Sequence, residues 1–264
     1  MLQSEFALLG FSPASVSLFW IAGLACVSFL AGLVDAIAGG GGLLSLPALL
    51  TAGLPPHLAL GTNKGQAVFG AISSFTAFWT RGEVDRSRAA IGFGCGFAGA
   101  VAGAKLLFLL SAEQLRPIML VLLMAAAVVV MLRRTTQATQ PLTTRPRLAL
   151  TAFAVCVGVY DGFFGPGTGS ILIIGNAVLF GDNLTRASGN AKVINLGSNL
   201  AALLLFSIRR TILWRLALPM AAANALGAFV GAHLAVRRGD KFVRSVVLVV
   251  VLAVVVKLAI DLVR

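Results

Sequence analysis

The chain has 264 residues, of which 58% are hydrophobic and only 11% charged, with 29 glycines and a mean hydropathy of +0.96. Soluble domains carry about a quarter charged residues, so this composition excludes one and specifies an integral membrane protein. The net charge of +12 is not a nucleic-acid surface. Arg81, Arg86, Arg88, Arg133, Arg134, Arg145, Arg147, Arg237, Arg238, Lys241 and Arg244 are scattered over loop ends, the pattern of cytoplasmic loops and phospholipid contacts.

The first residues, Met-Leu-Gln-Ser-Glu-Phe, lack a basic n-region. The apolar run that follows is too long for a signal-peptide core, so it is predicted to remain as a membrane helix. Runs near the roughly 20 residues that cross a hydrocarbon core occupy 16–38, 58–80, 89–110 and 117–132, then 148–164, 187–208, 212–236 and 243–263. They predict helices, since barrel strands would alternate in polarity. Two apolar pieces, 43–54 and 170–180, are about half a membrane long, and each follows a glycine-rich break. They predict half-helices or re-entrant segments. Residues 133–147, rich in Thr, Gln and Pro, form a linker between a first unit, 1–132, and a second, 148–264.

The two units repeat one another. Gly32-Leu-Val-Asp35-Ala-Ile-Ala-Gly39-Gly-Gly-Gly42 returns 126 residues later as Gly158-Val-Tyr-Asp161-Gly-Phe-Phe-Gly165-Pro-Gly-Thr168. Further along, an offset of 128 pairs Gly61 with Gly189, Lys64 with Lys192, Arg81 with Arg209, Gly99 with Gly227 and Gly103 with Gly231. The fold class expected is therefore an all-α polytopic membrane protein made by tandem duplication, each repeat having about four long helices and one short segment. If each short segment crosses, the repeats are inverted, and the loops near 81–88, 133–147 and 237–244 share the cytoplasmic side. If each dips and returns, the repeats are parallel. The charge distribution leans to the inverted version.

Lysines inside apolar segments cost about 2.5 to 3.5 kcal/mol at a helix centre and are retained by a partner or a watery cavity. Lys64 and Lys192 are thus the candidates for binding an anion, with Asn63 and Asn190 beside them; snorkelling to the interface is the alternative. The glycine runs, with Gly40, Gly41 and Gly42 in one repeat and Gly167, Thr168 and Gly169 in the other, can expose successive N–H groups. They also precede helix N-termini that favour negative charge. Kinking and close packing alone would use the same glycines. Asp35 and Asp161 stand just before these breaks, where they could carry a coupling proton, cap the half-helix that follows, or pair with the lysines. Gln66, Ser73, Ser74, Asn195, Ser198 and Asn199 are spaced to line a cavity or to bond between helices. Cys26, Cys95 and Cys156 lie singly in apolar runs and read as small buried residues without a metal or disulfide role. His57 is alone in a turn, and no metal site or cofactor is expected.

Asp35 with Ala-Gly39-Gly-Gly-Gly42 and Pro47, Leu60-Gly-Thr-Asn63-Lys64, and Tyr160-Asp161-Gly-Phe-Phe-Gly165-Pro-Gly-Thr-Gly169 together resemble the sulfite exporter TauE/SafE family, also called the toluene sulfonate uptake permeases. The likeness runs from about residue 16 to 263. It implies a transporter of the bacterial inner membrane for sulfite, sulfonates, sulfoacetate or related small anions, with the individual substrate not inherited through the motifs. The expected function is a secondary transporter, an exporter by preference, working by alternating access with proton coupling; a passive anion channel or a carrier of another small organic anion is the alternative. An enzyme is not expected, because nine acidic residues and two separated histidines offer no clustered nucleophile, metal or acid–base pair. Partners are the anion and membrane lipid, with no nucleic acid and no specified oligomer.

Overall fold

A computed structural model describes residues 18–131, 143 and 146–263, and side chains at all of these except 127, 129–131 and 239–263. The predicted N-terminal stretch before Leu18 and most of the linker 133–147 lie outside the described residues. The described elements are all helical: α1 (Leu18–Ala38), α2 (Gly42–Thr51), α3 (Pro56–Thr80), α4 (Arg86–Leu107), α5 (Ala112–Met131), α6 (Pro146–Phe163), α7 (Thr168–Phe180), α8 (Leu184–Ile208) and α9 (Trp214–Val263). Among them α1, α4, α8 and the Trp214–Arg238 part of α9 are long and apolar enough on their own to cross a membrane. The short segments expected after the glycine breaks are α2 and α7.

Local chemistry sets several boundaries. Pro56 occupies the first turn of α3, where its missing N–H costs nothing. The Asp85 carboxylate accepts from Ser87 N at 2.9 Å and the Asn183 side chain from Arg186 N at 2.8 Å, capping α4 and α8. One expectation fails here. The runs 212–236 and 243–263 do not form two helices, because α9 continues through both for 50 residues, a length of about 75 Å. The intervening Arg237-Arg-Gly-Asp-Lys241 contains no proline, and a single glycine costs only about 1 kcal/mol; charge marks a membrane boundary without stopping a helix. A second correction concerns the cysteines: Cys26 and Cys156 are exposed on the helix bundle's outer surface, and only Cys95 is partly buried.

The helices of the two halves interleave. Gly227 faces the Phe29 carbonyl and Gly231 the Leu33 carbonyl, so α1 and α9 run parallel; Gly65 against Ala217 and Gly70 against Asn224 make α3 parallel to α9 as well. In the same way Gly99 faces Val155 and Gly103 faces Val159, while Gly189 faces Glu83 and Gly197 faces Phe93, so α4 runs parallel to α6 and to α8. The two sets oppose each other, since Lys64 of α3 reaches Asn199 whereas Gly61 meets Phe206. With α1 and α3 running the same way, the Gly39–Gly42 break and α2 must return the chain between them.

These contacts are close. A Cβ at Gly162 would lie 2.1 Å from the Ala100 carbonyl oxygen, and one at Gly227 would lie 1.9 Å from that of Phe29. Small residues that let backbones touch are how membrane helices gain packing energy where lipid offers no hydrophobic drive.

At one end the loops between α3 and α4 and between α7 and α8 are fastened together. Arg88 makes two bonds to Asp182, at 2.8 and 2.9 Å, and one to Asp85 at 2.8 Å. Burial raises the Asp85 pKa, but the Ser87 and Arg88 contacts outweigh it and hold the carboxyl below its ordinary value. A depressed carboxylate contributes stability above its ordinary pKa that is lost as pH falls through the depressed one.

Gly227→Ala is expected to lower the melting temperature of the detergent-solubilised protein by several degrees, because overpacking of this kind costs about 1 to 3 kcal/mol. Gly94→Ala, where an added Cβ meets nothing within 4 Å, should leave it unchanged or slightly raised. Equal effects from the two would remove the backbone-contact account of the α1–α9 seam.

Candidate functional site

The two glycine breaks meet. Gly39 has φ +76°, and a Cβ there would sit 2.0 Å from the Gly169 carbonyl carbon, so both its backbone shape and its neighbour require glycine. Its carbonyl accepts from Ser170 N at 3.0 Å, and the Ser170 hydroxyl donates to the Ala38 carbonyl at 2.7 Å. The start of α7 is thereby stitched to the end of α1. Gly167, at φ +84°, forms the left-handed N-cap of α7.

Just before each break a carboxylate is held by the lysine of the opposite half. Lys64 Nζ lies 2.7 Å from Asp161 Oδ1, with both side chains no more than 4% exposed. Lys192 Nζ lies 2.6 Å from Asp35 Oδ2 and donates also to the Asp35 backbone carbonyl at 2.6 Å. Two ammoniums thus balance two carboxylates in the protein interior. Ser198 Oγ donates to Asp161 Oδ2, and Lys64 makes a longer contact, 3.4 Å, to Asn199 Oδ1. Asp35 also accepts from Gly41 N at 3.4 Å. Of the roles open to the aspartates, pairing is realised in both and capping only weakly in Asp35.

Around these pairs lies a polar cavity of about 40 Å³, large enough for a few waters. Of the residues the sequence singles out, Asp35, Gly41, Gly42, Asn63, Lys64, Gln66, Asp161, Gly167, Gly169, Asn195 and Asn199 line it. The others stand elsewhere. Lys192 is fully buried behind Asp35. Asn190 lies in the fastened loop region, donating to Asp182 at 2.7 Å and accepting from Asp85 N at 2.7 Å. Gly40 gives its carbonyl to Leu43 N, the Thr168 hydroxyl bonds the Gly165 carbonyl at 2.6 Å, and Ser73 donates to the Ala225 carbonyl at 2.8 Å. Ser73 is therefore an interhelical bond.

Ser45 and Asn224 also line the cavity and escaped the sequence reading. Each is a polar residue inside an apolar helix, a placement that signals either a cavity wall or a bond between helices. Asn224 Nδ2 donates to the Ser28 carbonyl at 3.0 Å, bracing α9 against α1. No group of three or more potential metal ligands occurs among the described residues.

Chemically, the cavity offers one paired ammonium, two carboxylates, several carboxamides and the starts of two short helices. Part of the backbone donor set expected of the breaks is already committed, since Ser170 N bonds Gly39 and Gly41 N approaches Asp35. An anion entering here meets positive charge that is neutralised until a carboxylate yields it.

The family profile described as sulfite exporter TauE/SafE matches residues 24–258. A probable membrane transporter protein of Haemophilus influenzae is 36% identical over 242 residues, covering 90% of this chain and 94% of that protein. The probable membrane transporter protein YfcA of Escherichia coli K12 is 37% identical over 237 residues, covering 89% and 88%. The probable membrane transporter protein ORF9 of a Sinorhizobium species is 35% identical over 242 residues, covering 91% and 93%. No solved structure matches.

Removing one member of a fully buried ion pair costs about 3 to 5 kcal/mol, and losing Lys192 costs less than that because the Asp35 carboxylate it leaves is 28% exposed. Lys192→Met is therefore expected to lower the melting temperature by a few degrees, and adding Asp35→Asn should recover most of the loss. A double variant no better than the single would mean that Lys192 acts through something other than the Asp35 charge.

Proposed function

This chain belongs to the sulfite exporter TauE/SafE family of membrane transporters, and from that premise we propose that it moves small sulfur-containing anions such as sulfite or sulfonates by alternating access, coupled to protons. The protein is a transporter and not an enzyme. The observation that carries the finer reading is the buried Lys64–Asp161 pair, 2.7 Å apart, lining a polar cavity where two broken helices meet.

The coupling follows from charge. With Asp161 ionised, Lys64 has its counter-ion and gains little from a second anion. A proton on Asp161 releases the ammonium, which can then take the substrate, so proton and anion bind together and each raises the affinity for the other. Both are carried across as one near-neutral set, which avoids moving bare charge through the hydrocarbon core. Lys64 is the substrate-binding cation in this reading, Asp161 the proton carrier, Asn63, Asn195 and Asn199 orient the anion, and Lys192 with Asp35 holds the first break in shape. Backbone N–H groups at Gly41, Gly42, Gly167 and Gly169 complete the cradle. Carried together, proton and anion leave through a bacterial inner membrane only where the outward anion gradient exceeds the inward proton gradient, so the export expected from the sequence is driven in this reading by the substrate's own accumulation.

Alternating access needs two arrangements related by symmetry, and we read the halves as inverted repeats. In support, α1, α3 and α9 run opposite to α4, α6 and α8, so α1, α3 and α4 oppose their counterparts α6, α8 and the first part of α9 under the offsets of 126 and 128. The ion pairs obey the same exchange, Lys64 with Asp161 and Lys192 with Asp35. In this arrangement the loop after α3, the start of α6 with Arg147 and the arginines at 237–238 share one side, which the positive-inside rule makes cytoplasmic.

In proteoliposomes, a pH gradient acid on the outside is expected to drive labelled sulfite inward several-fold above protein-free vesicles. Asp161→Asn should keep sulfite counterflow but lose the response to the gradient, and Lys64→Gln should lose both. Sulfite moving against the proton gradient, or an Asp161→Asn carrier still driven by pH, would overturn the coupling.

A further inference from the structure

We propose that Gln66 is a specificity-determining residue of the cavity, selecting small oxyanions that themselves carry a hydrogen-bond donor, a hydroxyl or a protonated oxygen. The inference rests on reading the cavity as the substrate site. Gln66 lies on α3, is 2% exposed, and lines the cavity with Lys64 and Asp161.

The orientation of its carboxamide follows from its neighbours. Ser45 Oγ lies 2.6 Å from Asn63 Oδ1, an O–H···O length shorter than ordinary N–H···O bonds. The Gly41 carbonyl lies farther from the same hydroxyl, at 3.2 Å, so the serine gives its one proton to Asn63, which presents its oxygen. Gln66 stands 3.1 Å from that same oxygen, so the end it offers must be its NH₂ group. Its Oε1 is then turned away, and no protein donor among the described residues reaches it. A buried acceptor without a donor is costly and calls for a partner. Lys64 does not serve: two of its three ammonium protons go to Asp161 and Asn199, and none reaches Oε1.

An anion with only bare oxygens would set acceptor against acceptor at this point. One that bears an O–H satisfies Oε1 while its charged end faces Lys64. The feature is single, because the offset of 128 that matches Lys64 with Lys192 puts Ile194 opposite Gln66. The paired lysines and aspartates are common to both halves; the acceptor that reads the substrate belongs to one.

The test is ligand-dependent stabilisation of the purified protein by two matched pairs, hydroxymethanesulfonate with methanesulfonate and glycolate with acetate. The wild type should respond to the hydroxylated member of a pair at about tenfold lower concentration. Gln66→Met, of similar length but without the acceptor, should bind both members as the wild type binds the plain one. Binding without preference in the wild type, or a preference that survives in Gln66→Met, overturns the assignment. A preference seen with the carboxylates while neither sulfonate binds would leave Gln66 in its role and sink the sulfur-anion reading. No stabilisation by any of the four would remove the cavity as the substrate site and the assignment with it.

Discussion

Two lysines and two aspartates, crossed between the halves of the chain, are the constraint around which the rest of the structure is arranged. A buried ammonium is tolerated only with an opposite charge at hydrogen-bonding distance, so Lys64 needs Asp161 and Lys192 needs Asp35. Because each pair joins one half to the other, neither half can neutralise its own charges. The requirement fixes how deep α3 and α8 sit against the ends of α1 and α6, and it brings the two glycine breaks to one place.

Satisfying that requirement demands close approach, and the glycines supply it. Backbones touch along α1 with α9 and along α4 with α6 because Gly227, Gly231, Gly99 and Gly103 present no Cβ. At the breaks the need is sharper, since Gly39 and Gly169 meet backbone to backbone. The lysine pairs differ in consequence. Lys192 grips both the side chain and the main chain of Asp35 and is shut away from the cavity, whereas Lys64 faces it. Residues equivalent in sequence thus stand differently, Lys192 shut away behind Asp35 and Lys64 at the cavity wall.

The same inequality runs through the polar lining. Asn63 and Gln66 of α3 correspond by the offset of 128 to Ala191 and Ile194, and Asn195 and Asn199 of α8 correspond to Ala67 and Ala71. The lysines and aspartates recur under the offsets, while the carboxamides around the cavity do not.

Much of this was legible in the residues alone. The helical membrane class, the short segments α2 and α7, and the need of Asp35, Asp161 and Lys64 for polar partners follow from hydrophobic run length, glycine clusters and the expense of charge in lipid, all of which are local properties. The resemblance to the transporter family rests on motifs that are likewise local. Which lysine meets which aspartate was not legible, because partners 97 and 157 residues apart are chosen by packing. Nor was the placing of Asn190 and Ser73 away from the cavity, or of Ser45 and Asn224 upon it, since the side of a helix that faces a cavity depends on what the neighbouring helices cover. The unbroken α9 has the same cause in reverse: charge in a sequence marks where a membrane face should lie, while the backbone stops only for proline, glycine or a competing cap. The sequence by itself determined the solvent this protein folds in and the charges it must bury; only the tertiary structure decided how those charges pair and which of them line the cavity, because pairing and access belong to distances between helices that no single stretch of chain encodes.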